Sequence, residues 1–237
     1  MASVFRSLGA LAALLCLSAC LVTPGKFESS LDIRADGRFA FAYKGEIIAS
    51  ESGKEGIAPV EADGEAETGP ALLQIAAKEE DFSVADDKEE AAQMQAIADA
   101  LMKEKGFRSA RYLGARKFEI DYAIDGTLTH AFLFPFNIDA QIVLPFVAAE
   151  LRGDGRVRVK APGFSIGFDK SAGPTGMGGG RDAAKALDGR FTLTTDAEIV
   201  SQNQEDGAQT GPQGKRIVWT ITPQTSEAPM AVLRLAR

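Results

Sequence analysis

The chain alternates from Phe27 onward. Phe27, Ser29, Leu31 and Ile33 take every second position, with Glu28, Ser30 and Asp32 between them. Asp36-Gly37 interrupts the run, and Phe39, Phe41 and Tyr43 resume it. A period of two is that of a half-buried strand, and an Asp-Gly break between two such runs predicts a hairpin. A two-residue loop would bring Ile33 to the face of Ala40 and Ala42. A three-residue loop, Asp36-Gly37-Arg38, pairs Ala35 with Phe39, Ile33 with Phe41 and Leu31 with Tyr43. That register gathers the large apolar side chains on one face and sets Gly37 near the left-handed region.

The pattern recurs. Phe118, Ile120, Tyr122 and Ile124 alternate, Asp125-Gly126-Thr127 follows, and Leu128, His130, Phe132 and Phe134 alternate in turn. A second three-residue loop there pairs Ile124 with Leu128, Tyr122 with His130 and Ile120 with Phe132. Asp154-Gly155-Arg156 separates Leu151 from Val157-Arg158-Val159, and Asp188-Gly189-Arg190 opens Phe191-Thr192-Leu193-Thr194. Ile217, Trp219 and Ile221 alternate late in the chain. These runs predict antiparallel strands with one apolar face. Their spacing is irregular, so they form no solenoid repeat.

Asp87 to Lys105 has another period. Met94, Ile97, Ala98 and Leu101 stand at i, i+3, i+4 and i+7, the stripe of an amphipathic helix. Asp86 or Asp87 caps it, with Glu89 or Glu90 three residues on, and Gly106 ends it. Ala71 to Lys78 is compatible with a shorter helix. Residues 50–70 are acidic, rich in Gly and Ala and aperiodic, which reads as an exposed loop. Ile142, Val143 and Leu144 favour a strand, with Pro145 limiting it to an edge or a bend. Residues 162–180 read as a loop, and Gln202 to Gly214 as a long hairpin loop. The fold class expected is α+β, a curved, mostly antiparallel sheet built from hairpins and packed against one or two inserted helices. The long helix is the natural cover for the apolar face of the sheet.

The N-terminus changes the picture. One cation, Arg6, precedes an uncharged apolar run from Leu8 to Leu17. A positive start, a short apolar core and small residues describe a secretory signal, too short to span a bilayer stably. Leu17-Ser18-Ala19-Cys20 resembles the bacterial lipobox, in which the cysteine receives a diacylglycerol and becomes the mature N-terminus. The division expected is a signal peptide over 1–19, a lipidated tether over 20–26 and one domain over 27–237.

Composition then narrows the chemistry. The chain has 237 residues, 45% of them hydrophobic, and a net charge of -7. Such a charge argues against nucleic acid and against a polybasic membrane patch. Of two cysteines, Cys16 leaves with the signal and Cys20 is taken by lipid, so the domain has no disulfide and no cysteine metal site. The single histidine, His130, excludes a histidine metal cluster.

Each remaining candidate has a plain reading beside it. Gly173 to Gly180 lacks the Gly-Lys-Ser/Thr of a phosphate loop and reads as a connector. His130 could serve as a base or ligand contact, but no Gly-x-Ser-x-Gly accompanies it. Its expected place is half-buried, satisfied by Tyr122 or a backbone carbonyl. The acidic runs Glu79-Glu80-Asp81 and Asp86 to Glu90 lack the spacing of a calcium loop and suit a helix start. Phe132, Phe134 and Phe136 are either core or the wall of a lipid-sized cavity.

The order of lipobox, Phe27–Tyr43 hairpin, helical insert, second hairpin, Val218-Trp219-Thr220 strand and final apolar strand at Met230 to Leu235 is similar to the LppM-like domain of bacterial envelope lipoproteins. Some members carry a C-terminal membrane helix, and this sequence has no apolar segment for one. The resemblance implies a curved sheet and helices enclosing an apolar, lipid-accommodating space, and no catalytic residue. The function expected is a non-enzymatic envelope lipoprotein, anchored through Cys20, that binds a lipid or other apolar ligand along Ile120, Tyr122, Leu128, His130, Phe132 and Phe134. No cofactor and no metal is expected. The alternative is a structural or adaptor protein in an envelope assembly, and a hydrolase built on His130 ranks last. Leu21 after the cysteine, by resemblance to the enteric sorting pattern, suggests the outer membrane facing the periplasm.

Overall fold

The computed structural model describes residues 22–49, 83–135, 145–166 and 185–236, with side chains from residue 88 in the helix. The signal peptide, Cys20, the acidic stretch 50–70, the candidate helix 71–78, Phe136 and the glycines of 173–180 lie outside them. What is described is mostly β, with one helix inserted and two open sheets.

The first sheet has seven strands. In chain order they are β1 (Val22–Ile33), β2 (Arg38–Ala49), β3 (Phe107–Gly114), β4 (Lys117–Thr127), β8 (Asp188–Thr195), β10 (Gln209–Gly211) and β11 (Gly214–Ile221). Their spatial order is β10-β11-β8-β1-β2-β4-β3. The second sheet is β5 (Ala131–Phe134), β6 (Val147–Leu151), β7 (Arg156–Lys160), β12 (Met230–Arg234) and β9 (Glu198–Gln202), in that order. Pairing is antiparallel except between β1 and β8, which run parallel.

The alternation read from the sequence sets the inner face. Leu31, Ile33, Phe41, Tyr43, Ile120, Phe191, Leu193 and Ile217 of the first sheet are almost fully buried. Phe134, Val147, Val157, Val159 and Leu233 of the second are buried with them. Rings fill the space between. Phe41 lies 4.9 Å from Phe134, Tyr43 lies 5.1 Å from Phe134, and Phe27 stacks on Phe164 at 4.2 Å. The apolar face of the first sheet is thus covered by a second sheet, where a helix was expected.

The helix, α1 (Ser83–Leu101), begins earlier and ends earlier than its sequence limits. Its stripe is as expected, with Ala98 fully buried and Met94, Ile97 and Leu101 half-buried against the core. The stripe packs on β3, the edge strand of the first sheet, and does not cover Phe132 and Phe134. Gly106 ends the segment at φ +102, where a Cβ would meet the Tyr122 ring at 2.5 Å.

The first hairpin has the expected loop length, displaced by one residue. The loop is Ala35-Asp36-Gly37, closed by Arg34 N–H to Arg38 O at 2.8 Å and Gly37 N–H to Arg34 O at 2.9 Å. Ile33 therefore faces Phe39 and Leu31 faces Phe41. The slip is an even number of residues, so every apolar side chain keeps its face. Asp154-Gly155 turns the same way between β6 and β7, with Arg152 and Arg156 as the closing pair.

The second expected hairpin does not form. β4 runs straight through Asp125-Gly126-Thr127 and pairs with β2 to its end, Gly126 facing Phe39 and Thr127 facing Arg38. Its other neighbour is β3, a strand the sequence hides because bulges between Phe107 and Ser109 and between Tyr112 and Gly114 break its period. The chain then crosses to the second sheet, where β5 pairs with β6. Two smaller corrections follow. The expected tether from Val22 is strand, paired with Ala49 onward. Gln202 to Gly214 is a crossing between sheets, ending in the tight β10–β11 turn.

Candidate functional site

Five of the six side chains expected to line a ligand space lie in the closed core. Ile120 and Tyr122 point inward from β4, and Phe132 and Phe134 point back at them from β5. Tyr122 and Phe134 sit 4.7 Å apart, and Phe132 lies 5.0 Å from both Phe39 and Phe41. Leu128 is buried, with its N–H bonded to Gly37 O at 2.9 Å. His130 is exposed on the crossing, and its carbonyl accepts the Leu151 N–H at 2.7 Å. This corrects its half-buried placement. Because β4 does not turn at Gly126, Tyr122 faces Tyr43 and Phe107 across its strands, and His130 is carried past the sheet.

The polar groups of this core are structural. Tyr43 is fully buried and donates its hydroxyl to Glu46 O at 2.7 Å, and burial holds its phenol well above the usual range. Burial also raises Tyr122.

The concavity the structure does carry lies on the opposite face of the first sheet. One row crosses the strands as Thr192, Ser30, Ala42 and Ala123, register partners in β8, β1, β2 and β4. Thr194, Asp32, Ala40 and Asp125 make the next row. Side chains this small leave a groove of about 690 Å³, walled by Arg216 and the Gly211–Gly214 turn on one side and by Arg108 of β3 on the other. The wall is held by Arg34, which donates to Gln213 O at 2.7 Å and to Asp32 at 2.5 Å. Burial pushes the Asp32 carboxyl up, outweighing the attraction of Arg34 that lowers it.

Sequence reading passed over this groove, since small residues on the polar half of four strands become neighbours only through register. Its lining holds no histidine, cysteine or lysine. Its acids are Glu28, Asp32 and Asp125, and Asp32 stands in register beside Thr194. The arrangement can hold an extended ligand by methyl contact and hydrogen bonds, with an acid or arginine at its edges. Among the described residues no three His, Cys, Asp or Glu side chains gather as a metal site. Nor is any described helix long and apolar enough to cross a membrane.

No family model and no curated protein matches the chain. Among solved structures, the NMR structure of the folded domain of Mycobacterium tuberculosis LppM is similar over 94% of this chain and 95% of that one, at 16% identity. The superposition is loose, with a TM-score of 0.33.

Proposed function

We propose that this chain is a non-enzymatic lipoprotein of the bacterial envelope, anchored by lipid on Cys20, whose domain serves as a structural or adaptor module at the membrane surface. The observation that carries the anchor is Leu17-Ser18-Ala19-Cys20 behind a charged start and an apolar run. The first strand begins at Val22, so Leu21 is all that stands between the lipidated residue and the domain. Multiple acyl chains on one residue give stable attachment where one alone is marginal. Leu21 favours the outer membrane, facing the periplasm.

The adaptor reading is preferred to a lipid held inside because the side chains that would line such a space are packed ring against ring. An acyl chain there would have to displace Phe134 from Phe41, Tyr43 and Tyr122. The ligand reading keeps one foothold, the groove over Ser30, Ala42 and Thr192, whose small floor suits an extended chain.

Fractionation of cells expressing Cys20→Ser tests the anchor. The variant should leave the membrane fraction, and full retention after a high-salt wash would overturn the reading. Titration of the purified protein with a fluorescent fatty acid separates the two roles. The adaptor reading expects no saturable binding. Saturable binding abolished by Ala42→Trp would move the ligand reading ahead and place the ligand in the groove.

A further inference from the structure

The two ends of the sandwich are unlike. At one end lie the turns Arg34–Arg38 and Arg152–Arg156, tied together by the C-terminal segment through Leu235 N–H to Gly155 O and Ala236 N–H to Ala35 O. Its arginines are matched by acids, Arg38 with Asp36, Arg156 with Asp154 and Arg234 with Glu198. At the other end β1 begins, and the chain on that side leads back to Cys20.

Five large apolar side chains are exposed among the described residues, and three of them ring that second end. Leu113 is 51% exposed at the tip of the β3–β4 hairpin. That tip is joined to the end of β2 by Ala49 N–H to Arg116 O at 2.9 Å. Ile166 is 38% exposed, two residues past Phe164, whose ring stacks on Phe27 of β1. Met230 is 37% exposed at the start of β12, paired with Lys160. The other two, Met102 and Val200, lie elsewhere, Val200 on β9. Lys160 and Lys26 are exposed at the same end.

We propose that this end is a membrane-docking face, with Leu113, Ile166 and Met230 dipping into the interfacial layer and Lys26 and Lys160 meeting anionic headgroups. The inference rests on the Cys20 anchor, and it adds an orientation to it. A lipid on Cys20, two residues ahead of β1, holds this end, and no other, against the bilayer. Three large apolar side chains exposed at the end that the anchor holds against lipid suit interfacial contact. Lys26 and Lys160 add attraction to an anionic surface, beside Asp188, the register partner of Lys26, and the Lys117–Glu46 and Arg116–Glu90 pairs.

The test uses the mature lipidated protein in phosphatidylethanolamine–phosphatidylglycerol vesicles with brominated acyl chains. Leu113→Trp, Ile166→Trp and Met230→Trp each add a reporter to the proposed face, and Val200→Trp adds one away from it. The added fluorescence at the three sites should shift to the blue and be quenched several-fold more than at Val200→Trp. Uniformly weak quenching while the protein stays with the vesicles would overturn the docking face and leave the anchor standing. Mass measurement of the N-terminal peptide reads the anchor separately. If that peptide carries no lipid, the same quenching pattern with added vesicles still supports the face, and its absence overturns it.

Discussion

Asp36-Gly37 lies between β1 and β2, where Gly37 takes φ +86 and the chain reverses on Arg34 and Arg38. Asp125-Gly126 also lies between alternating apolar runs, yet it stays extended and faces Ala40 and Phe39 of β2. The difference begins one residue earlier. Ala35 and Gly153, both small, precede the aspartate in the two hairpin turns, although Glu205 precedes it in the Asp206-Gly207 turn. Ile124 precedes Asp125, and a β-branched residue favours extended backbone. After the glycine, Arg38 and Arg156 donate their backbone N–H to the Asp36 and Asp154 carboxylates at 3.0 and 3.1 Å. Thr127 instead continues the ladder, paired with Arg38. The larger cause is not local. β2 is long enough to pair β4 through Thr127, so reversal at Gly126 would forfeit ladder bonds already on offer. An Asp-Gly pair is thus permission to turn, and the neighbouring strand decides whether the permission is used.

The consequence of running straight is that Phe132 and Phe134 arrive from the opposite sheet. Phe134→Ala should therefore remove rings from a closed core and lower stability by roughly 3–5 kcal/mol in a urea melt. A loss below about 1 kcal/mol would mean the sheets do not close on Phe134 and would reopen the cavity reading.

The two glycines come next. Gly37→Val puts a β-branched residue at a positive φ and should cost about 1–3 kcal/mol. Gly126→Val enters a strand, with the Phe39 ring 3.4 Å from the new Cβ. It should fall within about 1 kcal/mol of wild type. Equal losses at both positions would break the comparison.

Within the first hairpin two aspartates should answer pH in opposite directions. Hydrogen bonds from the Arg38 backbone and guanidinium hold the Asp36 carboxyl below its ordinary value. A depressed carboxylate adds stability that is present above the unfolded-state value, near 3.8, and fades as pH falls toward the folded one. Burial raises Asp32, so stability falls as pH rises from the unfolded-state value, near 3.8, to the folded one, and the loss is complete above it. Melts at pH 7 and pH 3 check both. Asp36→Asn should lose more ground at pH 7 than at pH 3, and Asp32→Asn should gain at pH 7 and lose that gain at pH 3. The same sign for both variants would contradict this account.

The smallest effect belongs to His130. Exposed beyond the end of β4, it should be replaceable by alanine within about 0.5 kcal/mol. A larger loss would return it to the inner face opposite Tyr122, where a turn at Gly126 would have put it.

The sequence alone determined what depends on neighbours along the chain. Strand alternation from Phe27 to Tyr43, the helical stripe of Met94, Ile97, Ala98 and Leu101, and the displaced but face-preserving first turn were legible because periods of two and 3.6 sort side chains by face before any partner is known. What the tertiary structure alone decided was partnership. That β8 lies parallel to β1, that β4 prefers β2 to a hairpin of its own, and that Phe134 faces Tyr122 from a second sheet all turn on competition between distant segments for the same edges and the same apolar face. The row of Thr192, Ser30, Ala42 and Ala123 became a groove only through that competition. The end of the domain beside Val22 acquired Leu113, Ile166 and Met230 in the same way, from three stretches that nothing in the local pattern connects.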